Sequence, residues 1–345
     1  MDDHHDPQTK EPSVQSASQI DVARLAGVSQ AAVSRTFTPG ASVSDETRDR
    51  VLNAAQKLKY RPNAIARSLI RKSTHIIGVV VMRLSKPFYA RIVRGFTRSL
   101  QAQGYWTLLF DIADEGEVEK TLPMALQYQV DGVVITSATL SSKLADEFAG
   151  TGTPVVLFNR YAASAQTHVV RCDNYAGGRM VAETLLNSGH KRIAYIAGEE
   201  SSSTNQDRKL GLIEGLNERG VQLWQHTKGD YSYEAGYEGA LQLLQTQARP
   251  DAIFCADDMT ALGAMDAARF KLGLQIPEDL SIVGFDDIPM AAWPAYSLTT
   301  IHQPFKDMVD ATINLLLGSI ADPKKNSENI VLQPTIVIRN SARVG

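Results

Sequence analysis

Several patterns that define membrane, secreted and catalytic proteins are missing from this chain of 345 residues. Its two cysteines, Cys172 and Cys255, both lie in apolar runs, so they predict buried thiols in a reducing cytoplasm and not a disulfide framework. No apolar run approaches the roughly 20 residues that span a bilayer. The first ten residues are polar and acidic, without the apolar core of a secretory signal. We therefore expect a soluble cytoplasmic protein.

Common catalytic motifs are also missing. The sequence contains no GxxxxGK[ST] phosphate loop, no GxSxG, no HExxH and no GxGxxG between a strand and a helix. His190 and His302 have no partner at metal-ligand spacing. The pairs Asp257-Asp258 and Asp286-Asp287 could do acid–base or metal chemistry, but adjacent side chains on a strand end point in different directions. We expect no catalytic residue, no metal and no cofactor.

The charge is distributed unevenly along the chain, although the net charge is only −3. Residues 13–75 hold ten Lys and Arg against four Asp and Glu, whereas residues 76–345 hold 24 against 30. A basic segment joined to an acidic body predicts that one end of the protein contacts a polyanion. Residues 1–15 are polar and poor in apolar side chains, which predicts a disordered tail.

The basic segment contains the pattern of two short helices that meet at a steep angle. Ala23 is small enough for the helix axes to approach, and Gly27 can take the positive φ that the turn needs. Val28 and Val33 would then fill the angle between the helices. This pattern predicts a helix-turn-helix, although an ordinary αα-hairpin remains possible from these residues alone.

Cap residues mark where three helices begin. Ser18 with Asp21 three positions later predicts a capping pair for the first helix, Ser29 caps the second, and Ser44 caps the third. On the second helix, small and polar residues face outward, as close approach to base edges and phosphates requires. The predicted DNA contacts of this helix are Ser29, Gln30, Ala31, Ser34 and Arg35.

Three motifs carry a family resemblance: GVSxxxVSR from Gly27, SVSxxTRxRV from Ser42 and YRPNAIARSL from Tyr60. They resemble the DNA-binding headpiece and hinge of the lactose-repressor (LacI/GalR) family, over Ser18 to Ile77. The resemblance implies a DNA-binding domain at 16–60 and a hinge at 61–74. Gln30 and Ala31 stand where the lactose repressor has a larger tyrosine–glutamine pair, so different operator bases are expected.

The hinge is expected to form a helix only on DNA. Residues 63–70 could make about two turns, but isolated helices need roughly 12–15 residues. Ala66 would allow two such helices to approach, and Leu69 would wedge into the minor groove and bend the duplex. A flexible linker with Leu69 packed on the body is the alternative. The predicted DNA contacts of the hinge are Asn63, Ala66, Arg67 and Leu69.

From His75 onward, apolar runs of strand length alternate with helical patterns. This alternation predicts an α/β body of doubly wound sheets, although a (β/α)₈ barrel has the same pattern. The family resemblance implies two Rossmann-like subdomains, similar to periplasmic sugar-binding proteins. The N-subdomain would comprise 75–172 and 303–332, and the C-subdomain 173–302 and 333–345.

Ligands of doubly wound sheets bind outside the carboxyl ends of the strands, where several polar residues follow apolar runs here. Their amide, carboxylate and guanidinium groups can bind hydroxyl groups in pairs, and an aromatic ring can cover a sugar's C–H face. With the family resemblance, the predicted effector contacts are Phe88, Asn159, Arg208, Tyr231, Asp257, Asp286 and Gln303. Asp258 and Asp287 are interpreted as caps, Arg160 as pocket wall, and Ser201–Thr204 as a mobile loop.

These patterns predict a sequence-specific transcriptional regulator, a repressor of a carbohydrate-metabolism operon, controlled by a small sugar or sugar derivative bound between the subdomains. It would bind a pseudo-palindromic DNA operator as a homodimer that pairs through the body, including the helix 88–103. No leucine heptad follows Ile338, so we expect no tetramer. The alternatives are a sugar enzyme fused to a DNA-binding domain and a regulator that responds to a nucleobase or sugar acid. The missing secretory signal and the helix-turn-helix segment argue against a bare solute-binding protein.

Overall fold

The computed structural model describes residues 17–38, 40–62, 73–113, 115–136, 147–148, 150–161 and 167–344. The chain divides into two compact units, Met1–Thr74 and His75–Gly345. The predicted tail at 1–15 and the four predicted hinge contacts lie outside the described ranges: Asn63, Ala66, Arg67 and Leu69.

The described part of the first unit contains three helices: α1 (Gln19–Ala26), α2 (Gln30–Thr36) and α3 (Asp45–Lys57). Small and β-branched side chains from all three form its core: Val22, Ala23, Ala26, Val33, Val51, Ala54 and Ala55. Gly27 takes φ 63° between α1 and α2, where a side chain would be strained. The helix-turn-helix prediction is confirmed.

The predicted caps are present as hydrogen bonds. The Ser18 hydroxyl accepts from the Asp21 backbone N–H at 3.3 Å, and the Asp21 carboxylate accepts from the Ser18 N–H at 2.9 Å. The Ser29 hydroxyl accepts from Ala32 at 3.2 Å and begins α2. These bonds satisfy backbone donors that the first turn of a helix leaves unpaired, so each helix start is encoded locally.

The second unit begins with a six-stranded parallel sheet of strand order β11-β5-β4-β3-β1-β2. Its elements before the first crossover are β1 (Ile76–Met82), α4 (Pro87–Ala102), β2 (Trp106–Ile112), α5 (Val118–Gln127), β3 (Gly132–Ile135), β4 (Val155–Phe158) and β5 (His168–Cys172). Almost every residue of β1, β3 and β4 is buried, as continuous apolar strands between helical layers require.

A second six-stranded sheet has the order β12-β10-β9-β8-β6-β7. Its elements are α6 (Asn174–Asn187), β6 (Ile193–Ile196), α7 (Ser203–Asn217), β7 (Gln225–Thr227), α8 (Tyr233–Leu244), β8 (Ala252–Cys255), α9 (Asp258–Asp266), β9 (Ser281–Asp286) and β10 (Thr299–His302). A π-helical turn, Ala267–Lys271, follows α9. The last strand, β12 (Thr335–Val337), runs antiparallel to its neighbour, β10, and the other described strand pairs of this sheet are parallel.

The chain passes three times between the sheets. It leaves the first after β5, returns after β10 through α10 (Phe305–Ala321) to β11 (Asn329–Leu332), and ends in the second sheet with β12 (Thr335–Val337). Two open sheets of this kind exclude a single (β/α)₈ barrel, and the prediction of two Rossmann-like subdomains is confirmed. Among the described residues, no helix is long and apolar enough to cross a membrane.

Candidate ligand cleft and DNA-reading surface

A cavity lies between the two sheets of the second unit, at the carboxyl ends of strands from both. It encloses about 540 Å³ of empty space, a figure that includes its opening to solvent. Six of the seven predicted effector contacts line it: Phe88, Asn159, Arg208, Tyr231, Asp257 and Asp286. The cavity therefore forms at the strand ends where the sequence placed it.

Arg208 lies at the centre of the lining and is almost fully buried. Its Nε donates to Asn174 Oδ1 at 2.8 Å, Nη1 donates to the Ala256 carbonyl at 2.5 Å, and Nη2 lies 3.3 Å from Asp286 Oδ1. Its guanidinium also lies 3.6 Å from the centre of the Phe285 ring. With three polar partners and a ring beneath it, the guanidinium is fixed in place before any ligand binds.

Asp286 is held from a second side by Gln303, whose Nε2 donates to Asp286 Oδ1 at 2.6 Å. Burial raises the pKa of Asp286 to about 7, although the nearby Arg208 acts in the opposite direction. Gln303 is not among the cavity-lining residues. The structure therefore places this predicted contact behind Asp286, where it orients the carboxyl group.

Asp257 lines the cavity, as predicted, and also takes the capping role that the sequence suggested for Asp258. Asp257 caps α9, because its Oδ1 accepts from the Thr260 N–H at 2.8 Å. Asp258 was interpreted as this cap, and that interpretation is wrong: its carboxylate is buried and accepts from the Ile288 N–H and the Thr300 hydroxyl. Burial raises the pKa of both carboxyl groups.

Asp287 is not a simple turn cap either. Its carboxylate accepts from Arg339 Nη2 at 2.6 Å and lies 2.9 Å from His302 Nδ1. Its carbonyl accepts from Arg91 Nη1 at 3.1 Å, which joins α4 to the second sheet. Within the described part of the chain, no group of three or more His, Cys, Asp or Glu side chains could hold a metal ion.

Strained backbone occurs at the cavity, which is lined by four of the nine described non-glycine residues with positive φ. Arg83, Asn159, Tyr231 and Asp286 line it and take φ values of 59°, 70°, 63° and 115°, a region that non-glycine residues rarely occupy. The Oδ1 of Asn159 is buried without a hydrogen-bond partner. Backbone strain and an unpaired buried acceptor both cost stability, and both occur here at a cavity where a bound ligand could offset that cost.

Tyr231 is anchored by the segment that was expected to be a mobile loop. Its hydroxyl lies 3.0 Å from Ser202 Oγ and 2.9 Å from Thr204 Oγ1. Ser202 is buried and caps α7. The mobile-loop interpretation of these residues is therefore wrong: they hold the Tyr231 ring against Gly198, with Lys86 Nζ 5.7 Å from the ring centre.

A set of charged contacts across the cavity was missed by the sequence reasoning. Glu199 accepts from Arg83 Nη1 at 2.8 Å and from Arg160 Nη2 at 3.1 Å, which links the two sheets. Lys86 Nζ donates to the Asp230 carbonyl at 2.9 Å, also across the cavity, and burial lowers the pKa of Lys86. Arg83 and Lys86 follow β1 and Glu199 follows β6, and this position after a strand was the signal that could have indicated them.

On the first unit, α2 presents a polar and small-residue surface. All five predicted DNA contacts of this helix are exposed: Ser29, Gln30, Ala31, Ser34 and Arg35. The opposite face of α2, with Ala32 and Val33, is buried against α1 and α3. The packing therefore orients the predicted reading residues outward.

Two protein families match this chain. Residues 20–63 match the family described as "Bacterial regulatory proteins, lacI family". Residues 74–327 match the family described as "Periplasmic binding proteins and sugar binding domain of LacI family". The two matches correspond to the helical unit and to most of the two-sheet unit.

Relatives of similar length agree with these matches. HTH-type transcriptional repressor PurR of Mannheimia succiniciproducens is 33% identical over 328 residues, which is 94% of this chain and 98% of the relative. HTH-type transcriptional repressor CytR of Escherichia coli is 33% identical and covers 95% and 96%. The ribose operon repressor of Haemophilus influenzae is 32% identical and covers 94% and 98%.

Solved structures show the same architecture. The lac repressor dimer bound to operator and the anti-inducer ONPF matches with a TM-score of 0.86 and 28% identity, over 95% of this chain and 99% of that chain. The complex of the transcriptional regulator CelR with cellobiose has a TM-score of 0.71 and 30% identity, over 94% and 100%. A LacI family regulator from Enterococcus faecium with bound ribose has a TM-score of 0.71 and 27% identity, over 78% and 100%. The chain therefore belongs to the LacI family of bacterial regulatory proteins and is a DNA-binding transcriptional regulator, not an enzyme.

Proposed function

We propose that this regulator represses a carbohydrate-metabolism operon in the cytoplasm and that a sugar or sugar derivative, bound in the cavity between the two sheets, sets its operator affinity. The observation that carries the proposal is the set of buried hydrogen-bond acceptors that line the cavity. Asn159 Oδ1 has no partner, and Asp257 and Asp286 each keep one carboxylate oxygen without a protein donor among the described residues. A ligand rich in hydroxyl donors would pair with them.

Most charged side chains of the lining are paired with one another, as Arg208 is with Asp286. Four cationic side chains face three carboxylates, and Glu199 already pairs with two of the arginines. The charge of Asp230 acts on the pKa of Lys86, so a fourth carboxylate lies near the cavity. Hydroxyl groups both donate and accept, so a polyol can use these groups without bringing an unbalanced charge into the site.

Similarities support both the sugar and the nucleobase alternative. The family description names a sugar-binding domain, and two structural neighbours hold cellobiose and ribose. Two relatives that are each 33% identical to this chain are named PurR and CytR, and the first of these names keeps a nucleobase as the second candidate. The predicted contact residues serve either ligand, since amides and carboxylates also bind ring N–H groups.

We also propose that α2 reads the DNA and that the body forms the dimer contact. We propose that Ser29, Gln30, Ser34 and Arg35 contact the operator, with Ala31 allowing close approach. Two headpieces would read the half-sites of a pseudo-palindrome, because a single small headpiece makes too few contacts for tight specific binding. The similarity to an operator-bound lac repressor dimer supports this arrangement.

The test is a thermal-shift panel on the full chain with D-ribose, cellobiose, gluconate and guanine, followed by affinity measurements with the variant Asp257→Asn. Asparagine still caps α9, so folding should be retained, but it replaces a carboxylate acceptor with a donor. We expect a sugar to raise the melting temperature and the variant to lose about tenfold or more in affinity for it, since a hydrogen bond to a charged group contributes about 1.5–3 kcal/mol.

The matched control is Asp279→Asn, which changes an exposed carboxylate and should bind the sugar like the wild type. Stabilisation by guanine and by neither sugar would replace the sugar with a nucleobase. Conversion of the sugar into a product during incubation would contradict the regulator and favour the enzyme alternative. Equal sugar affinity of Asp257→Asn and wild type would remove Asp257 from the site.

A further inference from the structure

The first residues of α1 and α2 are joined by a side-chain hydrogen bond. Gln19 follows the cap Ser18, and Gln30 follows the cap Ser29. The Gln19 Nε2 donates to the Gln30 carbonyl oxygen at 2.9 Å. Gln19 is half-buried at this contact, whereas the Gln30 side chain is exposed. The two helix starts are therefore held side by side, 11 residues apart in sequence.

This bond fixes the end of α2 that must meet the DNA most accurately. α2 has only seven residues. Its buried residues are Ala32, Val33 and Thr36, so the first two residues of the helix are not held by burial. The cap bond from Ser29 stays within α2 and does not tie it to α1. The Gln19 amide is thus a direct polar link between the outer first turn of α2 and its supporting helix.

We propose that Gln19 is a positioning residue for operator recognition: it holds the Gln30 main chain so that the Gln30 side chain meets its base pair. A glutamine can bind adenine through two hydrogen bonds, and such paired contacts require placement within about 0.5 Å. Gln30 is the longest outward side chain at the start of α2, because its neighbours Ser29 and Ala31 are short. The proposal rests on the DNA-reading role of α2.

The experiment is a selection of duplexes from a random library with the full-length protein, carried out for the wild type, Gln19→Met, Gln30→Ala and the double variant. Methionine has the length of glutamine but cannot donate to the Gln30 carbonyl. Gln56→Met is the control, since Gln56 is an exposed glutamine of α3 in the same unit. Affinity for the selected duplex and for a scrambled duplex of equal length, at one salt concentration, completes the measurement.

We expect Gln19→Met to lose base preference at the same operator positions that Gln30→Ala loses. Its ratio of specific to non-specific affinity should fall about threefold to tenfold, the range of one net hydrogen bond. In the Gln30→Ala background, Gln19→Met should have no further effect on that ratio, because the side chain that it positions is gone. Gln56→Met should keep the wild-type preference and ratio.

A purely structural role would lower the melting temperature without changing which bases are preferred, and that result would overturn the proposal. A uniform loss of affinity for selected and scrambled duplexes would indicate a phosphate contact and would also overturn it. Wild-type base preference in Gln19→Met would do the same. If the wild-type protein selected no sequence at all, both the DNA-reading role of α2 and the positioning role would fail together.

Discussion

Asp286 brings together the features that distinguish the cavity from the rest of the body. It is buried at the end of β9, takes φ 115°, and is contacted by Arg208 and Gln303. Burial penalises its charged form and raises its pKa to about 7, whereas the guanidinium favours the charged form. The protonation state of such a carboxyl group can change when a ligand alters its surroundings.

The raised pKa of Asp286 predicts a pH-dependent stability. Between about pH 4 and pH 7 the folded state holds a proton that the unfolded state releases, so this group stabilises the fold at low pH and loses that contribution as pH rises towards 7. Relative to Asp286→Asn, the wild-type free energy of unfolding should fall by up to about 1.4 kcal/mol per pH unit in that interval. Urea unfolding at several pH values measures the difference.

The exposed carboxylate variant Glu278→Gln is the control for this measurement. Its difference from the wild type should show no comparable fall over the same pH interval. A difference between wild type and Asp286→Asn that stays constant with pH would contradict the raised pKa of Asp286.

At the scale of elements, the position of Arg208 depends on a close contact between α6 and α7. A Cβ on Gly178 would lie 2.2 Å from the Arg208 carbonyl, and one on Gly211 would lie 2.1 Å from the Tyr175 carbonyl. The two helix backbones therefore touch, as only glycine permits. This contact sets Arg208 on α7 beside Asn174, which begins α6 and accepts from its Nε.

We expect Gly178→Ala to destabilise the body by roughly 2–4 kcal/mol, because backbone atoms cannot make room for the methyl group. Effector affinity should fall as well, since α7 would carry Arg208 away from the cavity. Gly318→Ala in α10 is the matched control: among the described residues, its Cβ would have only Lys325 Nζ near it, at 3.5 Å. That variant should gain about 0.5–1 kcal/mol from helix propensity. Denaturant unfolding compares them, and equal stability of Gly178→Ala and wild type would contradict the close contact.

At the scale of the whole molecule, the body exposes large aromatic side chains. Phe270, in the π-helical turn after α9, is 82% exposed, and Trp293 is 52% exposed. Arg269 Nη1 donates to the Ala295 carbonyl at 2.5 Å, which ties the segments of both aromatics together. Exposed aromatics of this size are typical of interaction surfaces, and they are a second candidate for the proposed dimer contact, in addition to the helix 88–103.

Phe270→Glu is expected to weaken the dimer, because a desolvated carboxylate would replace an apolar contact. Sedimentation of the full-length variant at micromolar concentration should show monomers where the wild type shows dimers, and operator affinity should fall with the loss of the paired headpiece. Leu210→Glu, at an exposed position of α7, is the control and should remain dimeric. A dimeric Phe270→Glu would exclude this surface, and a monomeric or tetrameric wild type would overturn the dimer itself.

Features that depend on neighbouring residues could be predicted from the sequence. The caps Ser18, Ser29 and Ser44 each accept from a backbone N–H three residues later, and Gly27 takes the positive φ that its own turn requires. The apolar runs determined which segments are buried strands, and parallel strands must bring their carboxyl ends to one edge. That rule located the site, and together with the family resemblance it identified six of the residues that line the cavity.

Only the tertiary structure decided what each polar residue at that edge does. Gln303 stands behind Asp286, 17 positions away, and Asp287 pairs with Arg339, 52 positions away. Glu199 links two arginines from the other sheet. Such partners follow from strand order and from the chain's three passes between the sheets, which no local pattern encodes. The sequence therefore determined the elements and the location of the site, while the pairing of its charges depended on long-range packing.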